Sequence, residues 1–210
     1  VQARAWYNPD LKSRNYNVPG VIAIILLMTS LLLTSMAIVR EKEIGTMEQL
    51  MVTPMKPIEF ILGKSLPFSI ISFIDVIIIS FVGMKWFEVP IRGSMTLLLF
   101  ASALFLMSCV GIGLIISTIS KTQQEALMSS FFFYFPAVLL SGFMFPISNM
   151  PVPVQWMTTM NPLRYFLVII RGIFLKGTGL AELWTQLVAL ALLGAFFLLF
   201  SVSRFKKTID

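Results

Sequence analysis

The chain has 210 residues, of which 57% are hydrophobic, 13% aromatic and only 12% charged, with a net charge of +6 and a mean hydropathy of +0.88. A soluble domain carries roughly a quarter of its residues charged, so this composition excludes a water-facing surface over most of the chain. The absence of histidine and the single cysteine, Cys109, also exclude Ser-His-Asp and Cys-His catalysis, His-ligated zinc or haem, and an intrachain disulfide.

Residues 1–17 are polar and tyrosine-bearing, with no basic start leading into a short apolar stretch, and so do not form a signal peptide. The chain opens on Val1 rather than methionine, and these residues read as the end of an extracytoplasmic region in a longer protein. A bilayer crossing takes about 20 apolar residues, and five bands meet that requirement. The first, 18–39, is uncharged until Arg40. The second, 65–84, is rich in isoleucine and phenylalanine and interrupted only by Asp75. The third, 93–120, is uncharged and longer than a perpendicular crossing needs, which predicts tilt. A further uncharged stretch runs from Ala126 to Leu163, but Pro136, Pro146, Pro151, Pro153 and Pro162 break it, so its spanning part is 126–142. The last band, 183–203, is followed by a tail, 204–210, that carries Arg204, Lys206 and Lys207. The expected fold is an all-α polytopic membrane protein with five transmembrane helices.

Five crossings put the chain ends on opposite sides. If segment 40–64 is cytoplasmic, that side holds Arg40, Lys42, Lys56, Lys64, Lys121, Arg204, Lys206 and Lys207. The other side holds Lys85, Arg92, Arg164, Arg171 and Lys176, with Arg4, Lys12 and Arg14 in the N-terminal tail. The totals are equal, but several of the second set lie far from a helix end or in an interfacial helix, which places the C-terminus inside. The positive charge reads as membrane-surface electrostatics, with membrane lipid as a partner and no nucleic acid.

Segment 40–64 is the most informative. Ile44, Met47, Leu50 and Met51 share a helical face, Thr46 and Gln49 have capping-box spacing, and Pro54 stops the helix. On periodicity alone this fits an interfacial helix lying on lipid as well as a docking surface. A loop of about 25 residues exceeds what a turn needs, and dense charge of both signs suits a protein partner.

Segment 143–177 reads as a re-entrant or interfacial hairpin, because proline-rich backbone at membrane depth needs protein or a water-filled cavity around it. Within it, Asn161 and Pro162 have the character of an N-cap and first helical position, opening a helix toward Gly177. Arg164 and Arg171 would share a face of that helix, either snorkelling to headgroup phosphates or forming a basic rim at the mouth of a path. Asp75 is the only acidic residue well inside a span, which leaves a substrate or ion contact against a structural hydrogen bond to a neighbouring serine or threonine. Cys109, Gly113 and Ser117 recur every four residues and form a stripe that lets another helix approach closely. Gly111-Ile112-Gly113 lacks the strand and third glycine of a dinucleotide fingerprint, and no G-x-x-x-x-G-K-S/T loop occurs, so any ATP must be bound by another chain.

Arg40-Glu41-Lys42-Glu43-Ile44-Gly45-Thr46-Met47-Glu48-Gln49-Leu50 with Pro54 resembles the coupling segment of ABC type-2 permeases, the membrane subunits of bacterial ABC exporters. The resemblance continues in Phe87-Glu88-Val89-Pro90 with Gly93, in Ser141-Gly142-Phe143-Met144-Phe145-Pro146 with Asn149-Met150-Pro151, and in Asn161-Pro162 before Tyr165. It is strongest to the drug-efflux-like subgroup. It implies a six-span fold whose first span and extracytoplasmic domain precede Val1, in a bacterial inner membrane. It also implies a cytoplasmic coupling helix that docks into a separate ATPase subunit, which binds ATP and magnesium, and a second permease subunit in a homo- or heterodimer. The permease itself is no enzyme and binds no cofactor. On this resemblance Arg40, Glu41, Lys42, Glu43, Ile44, Gly45, Thr46 and Glu48 are the expected ATPase-coupling residues. Asp75, Pro146, Asn149, Pro151, Arg164 and Arg171 are the expected path or outer gate. The rival expectation is an ion-coupled secondary transporter or channel, for which Asp75 is the one candidate group at mid-membrane.

Overall fold

The structure is a computed structural model that describes residues 13–45 and 57–209, and every regular element among them is helical. In chain order these are α1 (Ser13–Ile44), α2 (Pro57–Lys85), α3 (Met95–Ile119), α4 (Gln123–Leu139), a 3₁₀ turn (Ile147–Asn149), α5 (Val152–Thr158), α6 (Pro162–Arg171) running into a π turn (Gly172–Lys176), and α7 (Leu180–Ile209).

Among the described residues, four segments are long and apolar enough to cross a bilayer: Asn15–Ile44, Gly63–Lys85, Met95–Ile119 and Leu180–Arg204. They coincide with the first, second, third and last expected spans. The fourth expected span, 126–142, corresponds to α4, which has 17 residues and so is about 25 Å long, short of a hydrocarbon core of about 30 Å. It starts earlier than its apolar band, at Thr122, whose side chain accepts from Glu125 N at 3.2 Å. The Glu125 carboxylate in turn accepts from Lys121 N at 2.8 Å. This cap spacing is written in polar residues that hydropathy alone passes over.

The helices also outrun their apolar bands elsewhere. Arg40 to Ile44 form the last turns of α1 rather than a loop, and the helix stops at Gly45, whose φ of +81° suits glycine. Proline opens α2 at Pro57, so Lys64 lies within that helix. Charge ends a greasy stretch without ending a helix. The expected amphipathic helix between Thr46 and Pro54 falls outside the described residues.

The central helix is α3, which buries most of its length against α1 and α7. Its small residues explain how both neighbours come so close. A Cβ at Gly111 would lie 2.7 Å from the Phe197 carbonyl carbon of α7, and one at Gly113 would lie 2.9 Å from Thr34 Cβ of α1. Contacts at successive positions run in the same sense along α3, α1 and α7. Gly113 meets Thr34 and Ser117 meets Lys42, while Gly194 meets Met107 and Gly111 meets Phe197, so the three helices are parallel. The core between them and α6 holds Leu26, Phe105, Leu163, Phe166 and Phe174, with the rings of Phe105 and Phe166 stacked at 4.4 Å.

The outward face of α2 exposes Leu66, Ile70, Ile74, Ile77, Ile78 and Phe81. An apolar row of this length suits lipid, not water. Trp86, Trp156 and Trp184 are exposed at the end that carries the hairpin, in the manner of an interfacial aromatic belt.

Candidate functional site

The expected functional residues gather at the two ends of the bundle. At the first end, α1 finishes with four charged side chains in succession, Arg40 to Glu43, of which the last three meet neighbouring helices. Because successive helical residues point about 100° apart, each meets a different neighbour. The Glu41 carboxylate receives Lys64 Nζ of α2 at 2.5 Å. The ammonium of Lys42, half-buried, donates to the carbonyls of Ser117 (2.6 Å) and Thr118 (3.1 Å) at the end of α3. Glu43 Oε2 accepts from Gln123 Nε2 (2.8 Å) and Gln123 N (3.2 Å) at the start of α4. Deeper in the bundle, the hydroxyls of Ser35 and Ser130 lie 2.9 Å apart and join α1 to α4 again. Arg40 and Ile44 are exposed. Thr46 and Glu48 lie outside the described residues.

At the second end, α4 stops at Leu139 and the chain turns through Gly142, where φ is +83°. Pro146 and Asn149 bracket the 3₁₀ turn, closed by Asn149 N donating to Pro146 O at 3.1 Å. Pro151 opens α5 and accepts from Val154 N at 2.9 Å. All three are exposed and act as shapers of the turn. Asn161 caps α6 as its sequence implies, accepting from Leu163 N at 3.1 Å, with Pro162 at the first helical position. Its amide also donates to Ala137 O of α4 at 2.7 Å, a contact between elements that no local pattern reveals.

Arg164 and Arg171 do not act as one rim. Arg164 turns back onto α5, donating to Thr158 Oγ1 at 2.6 Å. Arg171 reaches α1, where its guanidinium stacks 3.8 Å over the Tyr16 ring and donates to the Tyr16 hydroxyl (2.8 Å) and Gly142 O (3.3 Å). Burial pushes its pKa down and Tyr16 pushes it up. This one side chain therefore ties α6, the Gly142 turn and the beginning of α1 together. Arg171→Lys should not substitute for it: Nη1 alone serves both acceptors, but an ammonium lacks the flat guanidinium face that stacks on the Tyr16 ring. Both Arg171→Lys and Arg171→Ala are expected to lower the stability of the hairpin by about 1–3 kcal/mol. Limited proteolysis of 142–151 should then be faster than in wild type, with Tyr16→Phe intermediate, and unchanged cleavage would refute the tie.

Asp75 is half-buried in α2 and forms no hydrogen bond or ion pair with another described residue. It lines none of three apolar clefts between the helices, although its neighbours Phe73 and Ile74 line one of about 520 Å³ between α2, α3 and α7. Another, of about 570 Å³, lies between α3, α4 and α7 and is lined by Ile116, Met128, Phe132, Phe133 and Phe197. A third, of about 320 Å³, lies between α4 and α5 under Phe132, Phe133, Met157, Met160 and Asn161. Neither of these last two presents a charged side chain, so both suit apolar guests. The outward row Met128, Phe132, Phe135 and Leu139 runs along α4 between them.

Sequence reasoning finds Lys42 and Glu43 but not their partners on the α3–α4 turn, places Lys64 in the coupling segment without its Glu41 partner, and misses Tyr16. The Thr122–Glu125 cap is the one local signal that could have drawn attention to that turn.

Residues 3–175 match the family described as ABC-2 type transporter. The chain is 38% identical over 192 residues to the Escherichia coli (strain K12) protein "Probable multidrug ABC transporter permease YbhR", covering 91% of this chain and 52% of that relative. It is 35% identical over 214 residues to "Probable multidrug ABC transporter permease YbhS" of the same organism, covering 100% of this chain and 56% of the relative. "ABC transporter G family member 20" of Dictyostelium discoideum is 28% identical over 186 residues, covering 88% of this chain and 26% of the relative. The chain spans about half the length of the Escherichia coli curated relatives it matches.

Proposed function

The chain belongs to the ABC-2 type transporter family, and from that premise we propose that it is the membrane-embedded part of a permease in an ATP-driven exporter. The exporter moves a hydrophobic or amphipathic substrate out of the cytoplasm or inner leaflet. ATP and magnesium are held by a separate ATPase subunit, and a second permease subunit, identical or related, completes the pathway in a bacterial inner membrane. The observation that carries this reading is the end of α1. Glu41, Lys42 and Glu43 meet α2, α3 and α4 in turn, so a push on the segment that starts at Arg40 reaches three helices at once. Residues 40–46 and Glu48 are assigned to ATPase coupling by the family resemblance.

Five crossings are also part of the proposal. Since α3 and α7 are parallel, the chain between them has to return once to the opposite end, and α4 is the longest helix available to carry it. The exposed row Met128, Phe132, Phe135 and Leu139 then supplies the face for the second permease. At the far end, Pro146, Asn149 and Pro151 shape the outer gate, Arg164 and Arg171 fasten it, and Asp75 is a polar point on the path.

The test uses the full-length permease, co-expressed with its ATPase and reconstituted in vesicles. Exchanging Glu41 and Glu43 together for lysine should leave insertion and ATP hydrolysis in place and reduce export at least about tenfold, the scale of even one lost charge-assisted contact. Normal export by this variant, or export in the unmutated protein that follows an ion gradient without ATP, would refute the proposal.

A further inference from the structure

An α-helix leaves its last carbonyls and first amides without intrahelical partners, and the α3–α4 turn brings both sets together between residues 116 and 125. Several of them are met locally. Ser120 donates both its N–H (3.1 Å) and its hydroxyl (2.9 Å) to Ile116 O. Lys121 N reaches Glu125 at 2.8 Å, and Glu125 N reaches Thr122 Oγ1 at 3.2 Å. The Ser117 and Thr118 carbonyls and the Gln123 amide are met from α1, the carbonyls by Lys42 and the amide by Glu43. Each charge matches the helix end it meets: an ammonium sits on the negative end of α3 and a carboxylate on the positive end of α4. Two neighbouring residues of opposite sign thus read two neighbouring helix ends of opposite sign.

Resting on the exporter reading above, we propose that Lys42 and Glu43 are positioning residues that grip the α3–α4 turn by its helix-end polarity, so that a displacement at the end of α1 is passed to α3 and α4 together. The contact is specific in sign as well as in shape. Lys42 is the stronger half, since it is half-buried and bonds two carbonyls, whereas Glu43 is exposed and screened by solvent. The Ser35–Ser130 contact, about two turns further along α1, keeps α4 from pivoting independently.

The experiment uses the full-length permease with its ATPase in lipid nanodiscs. Hydrogen–deuterium exchange of peptide 119–126 reads the grip directly. Lys42→Gln should speed exchange there about tenfold, the effect of a lost charge-assisted contact, Glu43→Ala should speed it by less, and Lys42→Arg should restore protection. The paired exchange of Lys42→Glu with Glu43→Lys keeps the net charge and places each sign on the wrong helix end. It should exchange at least as fast as either single variant and reduce substrate moved per ATP hydrolysed about tenfold, with the KM for ATP unchanged. Wild-type protection and transport in the paired variant would overturn the proposal. So would fast exchange with undiminished transport per ATP, because the contact would then pass no motion. Absence of ATP-dependent transport in the unmutated complex would instead strike the exporter reading, and the proposal with it.

Discussion

Gly111→Leu is expected to prevent the permease from folding, the largest effect anticipated for any single substitution in this chain. A Cβ at this position would lie 2.7 Å from the Phe197 carbonyl carbon and 2.8 Å from Leu198 N, both in the backbone of α7. A side-chain neighbour can change rotamer, but a helix backbone can yield only by moving the whole helix. Between α3 and α7 that movement would open the most extensive helix pairing in the bundle. Overpacking a close-fitted core costs about 1–3 kcal/mol for a few added atoms, which fits Gly111→Ala, and leucine adds three more carbons to the same gap. The substitution Gly63→Leu is the control. A Cβ at Gly63 meets no described residue within 4 Å, and the exchange removes a weak helix former, so a neutral or slightly stabilising result is expected. Size-exclusion profiles of fluorescent-protein fusions of the full-length permease, with thermal midpoints for the folded variants, measure the series. A monodisperse Gly111→Leu protein with a wild-type midpoint would show that α3 and α7 are not packed this closely.

Gly111 also shows where sequence reading ends. The small-residue stripe of Cys109, Gly113 and Ser117 announces a close helix contact, and the structure provides one at Thr34. Gly111 lies off that stripe and serves the opposite neighbour, so a single-face pattern passes over it. The four long spans were legible because crossing a bilayer is a length requirement on apolar residues, and a window of hydropathy measures that length directly. Helix ends were not, because α1 and α2 continue through charged residues that a membrane rejects and a helix accepts. The cap of α6 was legible in Asn161 and Pro162, a local pattern with a local cause. The partners of Lys42, Glu43, Arg171 and the Asn161 amide were not. Each bonds a backbone group or hydroxyl more than twenty residues away, and backbone carbonyls carry no mark in the sequence.

Asn161→Asp is expected to abolish transport at neutral pH and to recover in part as the pH falls. The native amide performs two tasks that need opposite polarity. Its oxygen accepts from Leu163 N and starts α6, while its nitrogen donates to Ala137 O. That carbonyl needs an outside donor because α4 ends two residues later and Ser141 N bonds Val138 O instead. Aspartate keeps the cap and turns a second acceptor toward a carbonyl, in a site only 9% exposed. Leaving a buried carbonyl unpaired costs about 1–3 kcal/mol, and burying an unpaired carboxylate adds to that. Protonation repairs both defects, because a neutral carboxyl donates through its O–H. The folded protein therefore holds the proton more tightly than the unfolded chain, so the introduced carboxyl has a raised pKa when folded. The variant is then most stable below the ordinary carboxylate range, near pH 4, and loses that stability as the pH rises through its elevated folded value. Asn161→Ala loses both bonds and has nothing to titrate, so its defect should be flat with pH. Thermal midpoints of the two variants between pH 4.5 and 8, beside wild type, separate the cases. An Asn161→Asp protein whose deficit relative to wild type is the same at both ends of that range would show that the amide does not tie the hairpin to α4.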